Sequence, residues 1–87
     1  MEEIERSLLS LNKSFSRRIP ESVTIYIEEM FVAREWGVGF EELCNQLYET
    51  DVLLTDQEYA EIESLGRQLK LDSNSWHFLE ELKKGSA

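Results

Sequence analysis

The chain has 87 residues, 41% of them hydrophobic and 31% charged, with a formal net charge of −9. That length makes one domain with one small core, and such cores supply only about 3–5 kcal/mol of net stability, which leaves little room for a deep substrate cavity. An excess of carboxylates also argues against phosphate backbones and anionic membranes as ligands, because both attract Lys and Arg.

Hydrophobic spacing predicts an all-α chain: a small antiparallel bundle of four to five helices forming a single domain over 1–87. The first helix covers 2–16, with Ile4, Leu8, Leu11 and Phe15 on one face. "SRRIP" ends it, since the residue before Pro20 is biased away from the helical region. Pro20 then opens a second helix over 20–36, with Val23, Ile27, Met30 and Phe31 as its buried stripe. Its β-branched start, "ESVTIYI", also suits a strand, but it leads into a helical period. Gly37 is expected at the left-handed position that closes this helix, with Gly39 completing the break. A third helix, 40–49, carries Phe40, Leu43, Cys44, Leu47 and Tyr48 as a full amphipathic stripe. After the connector "DVLL", Thr55 and Glu58 have capping-box spacing and start a fourth helix, 56–70. That helix buries Tyr59, Ile62, Leu65 and Leu69, and a close helix approach is the expected reason for Gly66 inside it. Asp72-Ser73-Asn74 caps a short last helix, 75–83, with Trp76, Leu79 and Leu82 inward. The closing Gly85-Ser86-Ala87 reads as an appended scar.

The charge is unevenly placed. Residues 28–63 hold eleven acids and a single base, Arg34, whereas the two flanking segments are nearly balanced. Charge of this kind serves solubility in many proteins, but its concentration in one segment favours a cationic partner. Cys44 stands alone, so neither an internal disulfide nor a paired-cysteine metal site is available, and the chain reads as cytoplasmic. Cys44 lies on the apolar stripe and His77 lies between Trp76 and Phe78, so no metal site is expected. Glu42 and Glu49 share the face opposite the core, where carboxylates stay solvated and make poor acid–base catalysts. No catalytic residue, metal or cofactor is expected, and the chain does not read as an enzyme. An acyl carrier is excluded too, because the one Asp-Ser, Asp72-Ser73, precedes Asn and lies near the end of the chain.

An ordered set of residues runs through positions 35–71. It comprises Glu35, Gly37, Glu41, Leu43-Cys44 and Gln46-Leu47-Tyr48-Glu49. Leu54 and Glu58 follow, then Ile62, Leu65-Gly66, Leu69 and Leu71-Asp72, with Trp76 beyond. This set resembles the MafI-type immunity proteins, small antidotes to secreted bacterial polymorphic toxins. Gly39 departs from the pattern, which has a small non-glycine residue there, and residues 1–19 carry none of it. The resemblance implies a cytoplasmic antitoxin that binds the C-terminal domain of one cognate toxin as a monomer and blocks it. Toxins of this kind, used in contact-dependent inhibition, are frequently basic nucleases, including EndoU-type ribonucleases. Contact with the toxin alone is implied, with no direct contact to nucleic acid or membrane. The alternative is an acidic adaptor or nucleic-acid mimic that binds a basic host protein.

A standard interface takes about 800 Å² per partner, comparable to the outer faces of two short helices. The toxin-binding surface is therefore expected on helices three and four and the connector between them. Glu42, Asn45, Gln46 and Glu49 form one stripe, and Asp51, Asp56, Glu58 and Glu61 are the nearest further acids. Interfaces also need an aromatic anchor, for which Trp36 and Tyr26 are the candidates.

Overall fold

The computed structural model describes residues 2–83 and is an all-α bundle. Its α-helices are α1 (Glu3–Ser14), α2 (Glu21–Val32), α3 (Trp36–Glu49) and α4 (Asp56–Gln68). Two 3₁₀ segments follow, Ser73–Ser75 and His77–Leu82. Among the described residues the one β-type pairing is an isolated bridge, in which the Leu54 N–H donates to the Leu82 carbonyl at 2.8 Å. Residues 85–87 lie outside the described residues. The radius of gyration, 11.9 Å, is that of a fully compact domain of this length, about 12 Å.

The core is continuous. Leu8, Leu11 and Phe15 of α1, Ile27 and Phe31 of α2, and Phe40, Leu43, Cys44 and Leu47 of α3 pack with Tyr59, Ile62 and Leu65 of α4. Trp76, Leu79 and Leu82 close it from the 3₁₀ segments, while Val52 and Leu54 tuck in from the connector with Leu53 between them exposed. Polar links join the elements as well. Asn12 is buried and donates from Nδ2 to the Thr24 carbonyl at 2.9 Å, tying α1 to α2. The capping box is present: the Glu58 N–H donates to Thr55 Oγ1 at 3.0 Å, and the Thr55 N–H donates to Glu58 Oε1 at 2.9 Å.

Helix endings follow one device that glycine spacing does not reveal. Arg34, Asp51 and Lys70 have φ of 65°, 57° and 61°, and each sits just past the end of α2, α3 or α4. In each case its N–H bonds the carbonyl three residues back, and the next residue's N–H bonds the carbonyl five back. Glu35 thus donates to Met30, Val52 to Leu47 and Leu71 to Gly66, the Schellman arrangement that satisfies the last carbonyls. Non-glycine residues bear a Cβ penalty at this position. Lys70→Gly is therefore expected to stabilise the fold by about 0.5 kcal/mol net of unfolded-chain entropy, raising Tm by about 2–4 °C. Thermal unfolding by circular dichroism measures it.

The expected break at Gly37 is corrected by these endings. The second helix stops at Val32, not near residue 36, and Arg34 supplies its left-handed closure. The third begins at Trp36, so Gly37 and Gly39 both lie inside α3. Packing explains Gly39: a Cβ there would come within 2.7 Å of the Phe31 ring and 3.2 Å of Met30 Cβ. The glycine marks the close approach of α3 to α2, not a stop. Two further corrections concern the later elements. Tyr48, expected in the core, is exposed; its ring meets Phe78 edge-on at 5.3 Å, and its hydroxyl donates to Glu81 at 3.4 Å. The last helix is not one α-helix over 75–83, because Trp76, at φ −138°, interrupts it between the two 3₁₀ segments. Asp72 caps the first of them by accepting from the Asn74 N–H at 2.9 Å.

Candidate protein-binding surface

Each residue of an α-helix turns by 100°, so positions i, i+4, i+7 and i+11 form one row. On α3 the row opposite Phe40, Leu43, Cys44 and Leu47 is Val38, Glu42, Asn45 and Glu49. Val38, Asn45 and Glu49 are exposed, and Glu42 is half-exposed with Oε2 accepting from Gln46 Nε2 at 3.1 Å. Gln46 is half-buried at the margin of the row. The four α3 residues singled out from sequence therefore lie together, and Val38, which periodicity alone also places there once Gly37 is helical, adds an apolar member. Among the described residues none of the row's acids has a cation within ion-pair distance. Asp51 follows directly but is set in the left-handed closing turn, so its position is fixed by the helix ending as well as by its charge.

The α4 acids have other work. Glu58 accepts from Arg18 at 2.7 Å as well as completing the capping box, and the Arg18 guanidinium lies 4.4 Å over the Phe15 ring. The Arg18 hydrogen bonds hold the Glu58 carboxyl below the usual carboxylate range; partial burial opposes this, and the Thr55 bonds add to it. Asp56 lies 3.7 Å from Lys83, and Glu63 pairs with Arg67 at 3.2 Å. Glu61 is exposed without such a partner among the described residues. Within the bundle α3 packs on α2, α1 and the second 3₁₀ segment, whereas α4 packs on α1 and both 3₁₀ segments. The α3 row is thus the compact acidic surface, and the α4 acids belong to a different part of the molecule.

The two aromatic candidates differ. Tyr26 is 54% exposed on α2. Trp36 is half-buried against the core, donates from Nε1 to the Phe31 carbonyl at 3.1 Å, and has Arg34 5.4 Å from its ring. It fastens α3 to the end of α2 and exposes little surface as an anchor.

Other chemistry finds poor ground here. Burial and the nearby Glu41 carboxylate push the Cys44 thiol far above its ordinary range, which keeps it protonated and inert. His77 is exposed, 3.7 Å from Glu80. Among the described residues no group of three or more His, Cys, Asp or Glu side chains is placed to hold a metal ion. Within the same residues no helix is long and apolar enough to cross a membrane.

Fold and surface together define a small, acidic, all-α protein whose α3 carries on its outward row two carboxylates, Glu42 and Glu49, unpaired among the described residues. No family model, curated protein or solved structure matches the chain.

Proposed function

We propose that the protein is a cytoplasmic immunity protein that binds and neutralises the C-terminal domain of a cognate secreted bacterial toxin, a basic nuclease. One observation carries the proposal: of the eleven acids of residues 28–63, Asp56, Glu58 and Glu63 pair with Lys83, Arg18 and Arg67, but Glu42 and Glu49 on the outward row of α3 have no cation within ion-pair distance among the described residues. The outward row of α3 is therefore left to a cation supplied from outside the described residues. The ordered residue set at 35–71, which resembles MafI-type immunity proteins, supports the same reading. A nuclease needs a cationic groove for phosphate, and an acidic helix face complements such a groove.

The test is co-expression. A toxin-domain reading frame is expected immediately upstream of this gene, and it is expressed in a sensitive host with and without the protein. Restored growth and a co-purifying one-to-one complex are expected. If instead the protein leaves growth arrested and draws a basic host protein from lysate, it is an acidic adaptor and the immunity reading fails.

A further inference from the structure

We propose that the outer face of α2 is a second docking surface, and that it takes a basic amphipathic helix of the partner. The inference rests on reading the chain as a binder of a basic protein, and it adds where the apolar part of that contact lies.

The sequence of α2, ESVTIYIEEMFV, carries more apolar residues than its buried side uses, and its outer face mixes Ile25 and Val32 with Glu21, Glu28 and Glu29. Its inward side is used by Ile27, Met30 and Phe31, with Thr24 beside them. What remains is outside: Ile25 is 49% exposed, Tyr26 54% and Val32 60%. These are three of the six large hydrophobic residues that the described structure exposes, and one twelve-residue helix carries them. Ile25 and Val32 are seven apart, hence on one line about 10 Å long. Glu28 and Glu29 fall between them at i+3 and i+4, with Glu21 one turn before Ile25. None of these three carboxylates has a cation within ion-pair distance among the described residues. Lys13 lines the same α1–α2 groove as Glu21, Ile25 and Glu28 without pairing to them.

The pattern selects its occupant. A solvated surface has no use for Ile25 and Val32, and scattered exposure would not place them in line with acids between. A second copy of this chain would set Glu28 and Glu29 against their own equivalents, a like-charge contact that costs affinity. A partner helix with two apolar side chains seven residues apart and Lys or Arg between them matches Ile25, Val32, Glu28 and Glu29, with Lys13 left at the α1 side of the groove.

A synthetic helical peptide with the seven-residue repeat Leu-Ala-Ala-Lys-Lys-Ala-Ala is the probe, and a version with Glu for Lys is its control. Titration into the isotope-labelled protein, followed by amide chemical shifts, is expected to move the signals of 21–32 with the Lys peptide and not with the Glu peptide. Ile25→Ser with Val32→Ser should weaken binding at least tenfold with thermal unfolding unchanged, since both side chains are exposed. Glu28→Lys with Glu29→Lys should transfer the preference to the Glu peptide. Shifts confined to 42–49 would overturn docking on α2 while leaving the basic-partner reading intact. Silence with both peptides would overturn α2 docking as well, and preference for the Glu peptide would overturn both. A dimer in sedimentation that the double serine variant dissolves would assign the face to a second copy and overturn the proposal.

Discussion

Gly66→Ala is expected to destabilise the protein by about 1–3 kcal/mol, even though alanine favours a helix over glycine by about 1 kcal/mol. A Cβ at position 66 would lie 2.4 Å from Trp76 Cε3 and 2.5 Å from Cζ3. Contacts that short require movement, and the ring has nowhere to go. Trp76 is 2% exposed and meets Phe40 edge-on at 6.5 Å, while the Arg67 guanidinium lies 5.8 Å from it. The clash is specific to the indole, so the sign of the effect depends on residue 76. In a Trp76→Leu background the same Gly66→Ala change should be neutral or stabilising, by up to about 1 kcal/mol, because only the helix preference remains. Leucine suits this background better than alanine, since Trp76→Ala alone costs about 3–5 kcal/mol, as much as the whole stability of a domain this size. Urea unfolding of the four proteins in the cycle gives the coupling. Equal costs of Gly66→Ala in both backgrounds would show that the glycine is kept for some reason other than Trp76.

The same pair shows what a sequence of this kind reveals. Gly66 inside a helical period signals a close approach, but the element that approaches it lies outside the helix and has no periodicity to announce it. Most helix interiors were readable, because buried positions recur as i, i+3, i+4 and i+7, although Val23 and Leu69 are only partly buried; the Thr55–Glu58 box marked the start of α4 to the residue. The endings were not. Glycine is the expected closing residue, so Gly37 looked like a stop, whereas Arg34, Asp51 and Lys70 take the left-handed positions. Their conformation is imposed by the Schellman hydrogen bonds and by the chain's next destination, which no local propensity encodes. Tyr48 failed differently. Its spacing fits the core stripe, but it lies at the edge, where Phe78 covers one side of the ring and Glu81 takes the hydroxyl.

The candidate surface was legible to the extent that it lies on one helix. Glu42, Asn45, Gln46 and Glu49 follow from period alone, and Val38 joins them once α3 is seen to start at Trp36. The capping-box role of Glu58 was legible, but its ion pair was not, because its partner, Arg18, is forty residues away. Charge counted along the chain adds α4 to the surface; charge paired in space removes Glu58 and Asp56 from the unneutralised set. The apolar outer face of α2 was hidden for a related reason. A helix with apolar residues on both sides looks like a core helix until the bundle is seen to cover only one of them.

Glu42→Lys combined with Glu49→Lys is expected to slow association with the proposed basic partner by about 10–100-fold at low ionic strength, the range over which electrostatic steering acts. Both carboxylates lie on the outward row of α3 and neither is ion-paired among the described residues, so the melting temperature should hardly move. The rate difference should close as salt rises, and at about 1 M, where the Debye length is about 3 Å, little should remain. Glu58 must stay out of such a variant. Its reversal would break the capping box and leave Arg18 facing a second cation, so lost binding would be confounded with lost stability. Stopped-flow association with the proposed toxin domain, measured across salt concentrations, separates the two faces of the molecule. The α3 row should govern the rate of encounter, while Ile25 and Val32 on α2 should govern dissociation, because desolvated apolar contact forms only after docking. A double-lysine variant that associates at the wild-type rate at every salt concentration would remove the α3 row from the encounter surface. A partner would then have to be sought on α2 alone.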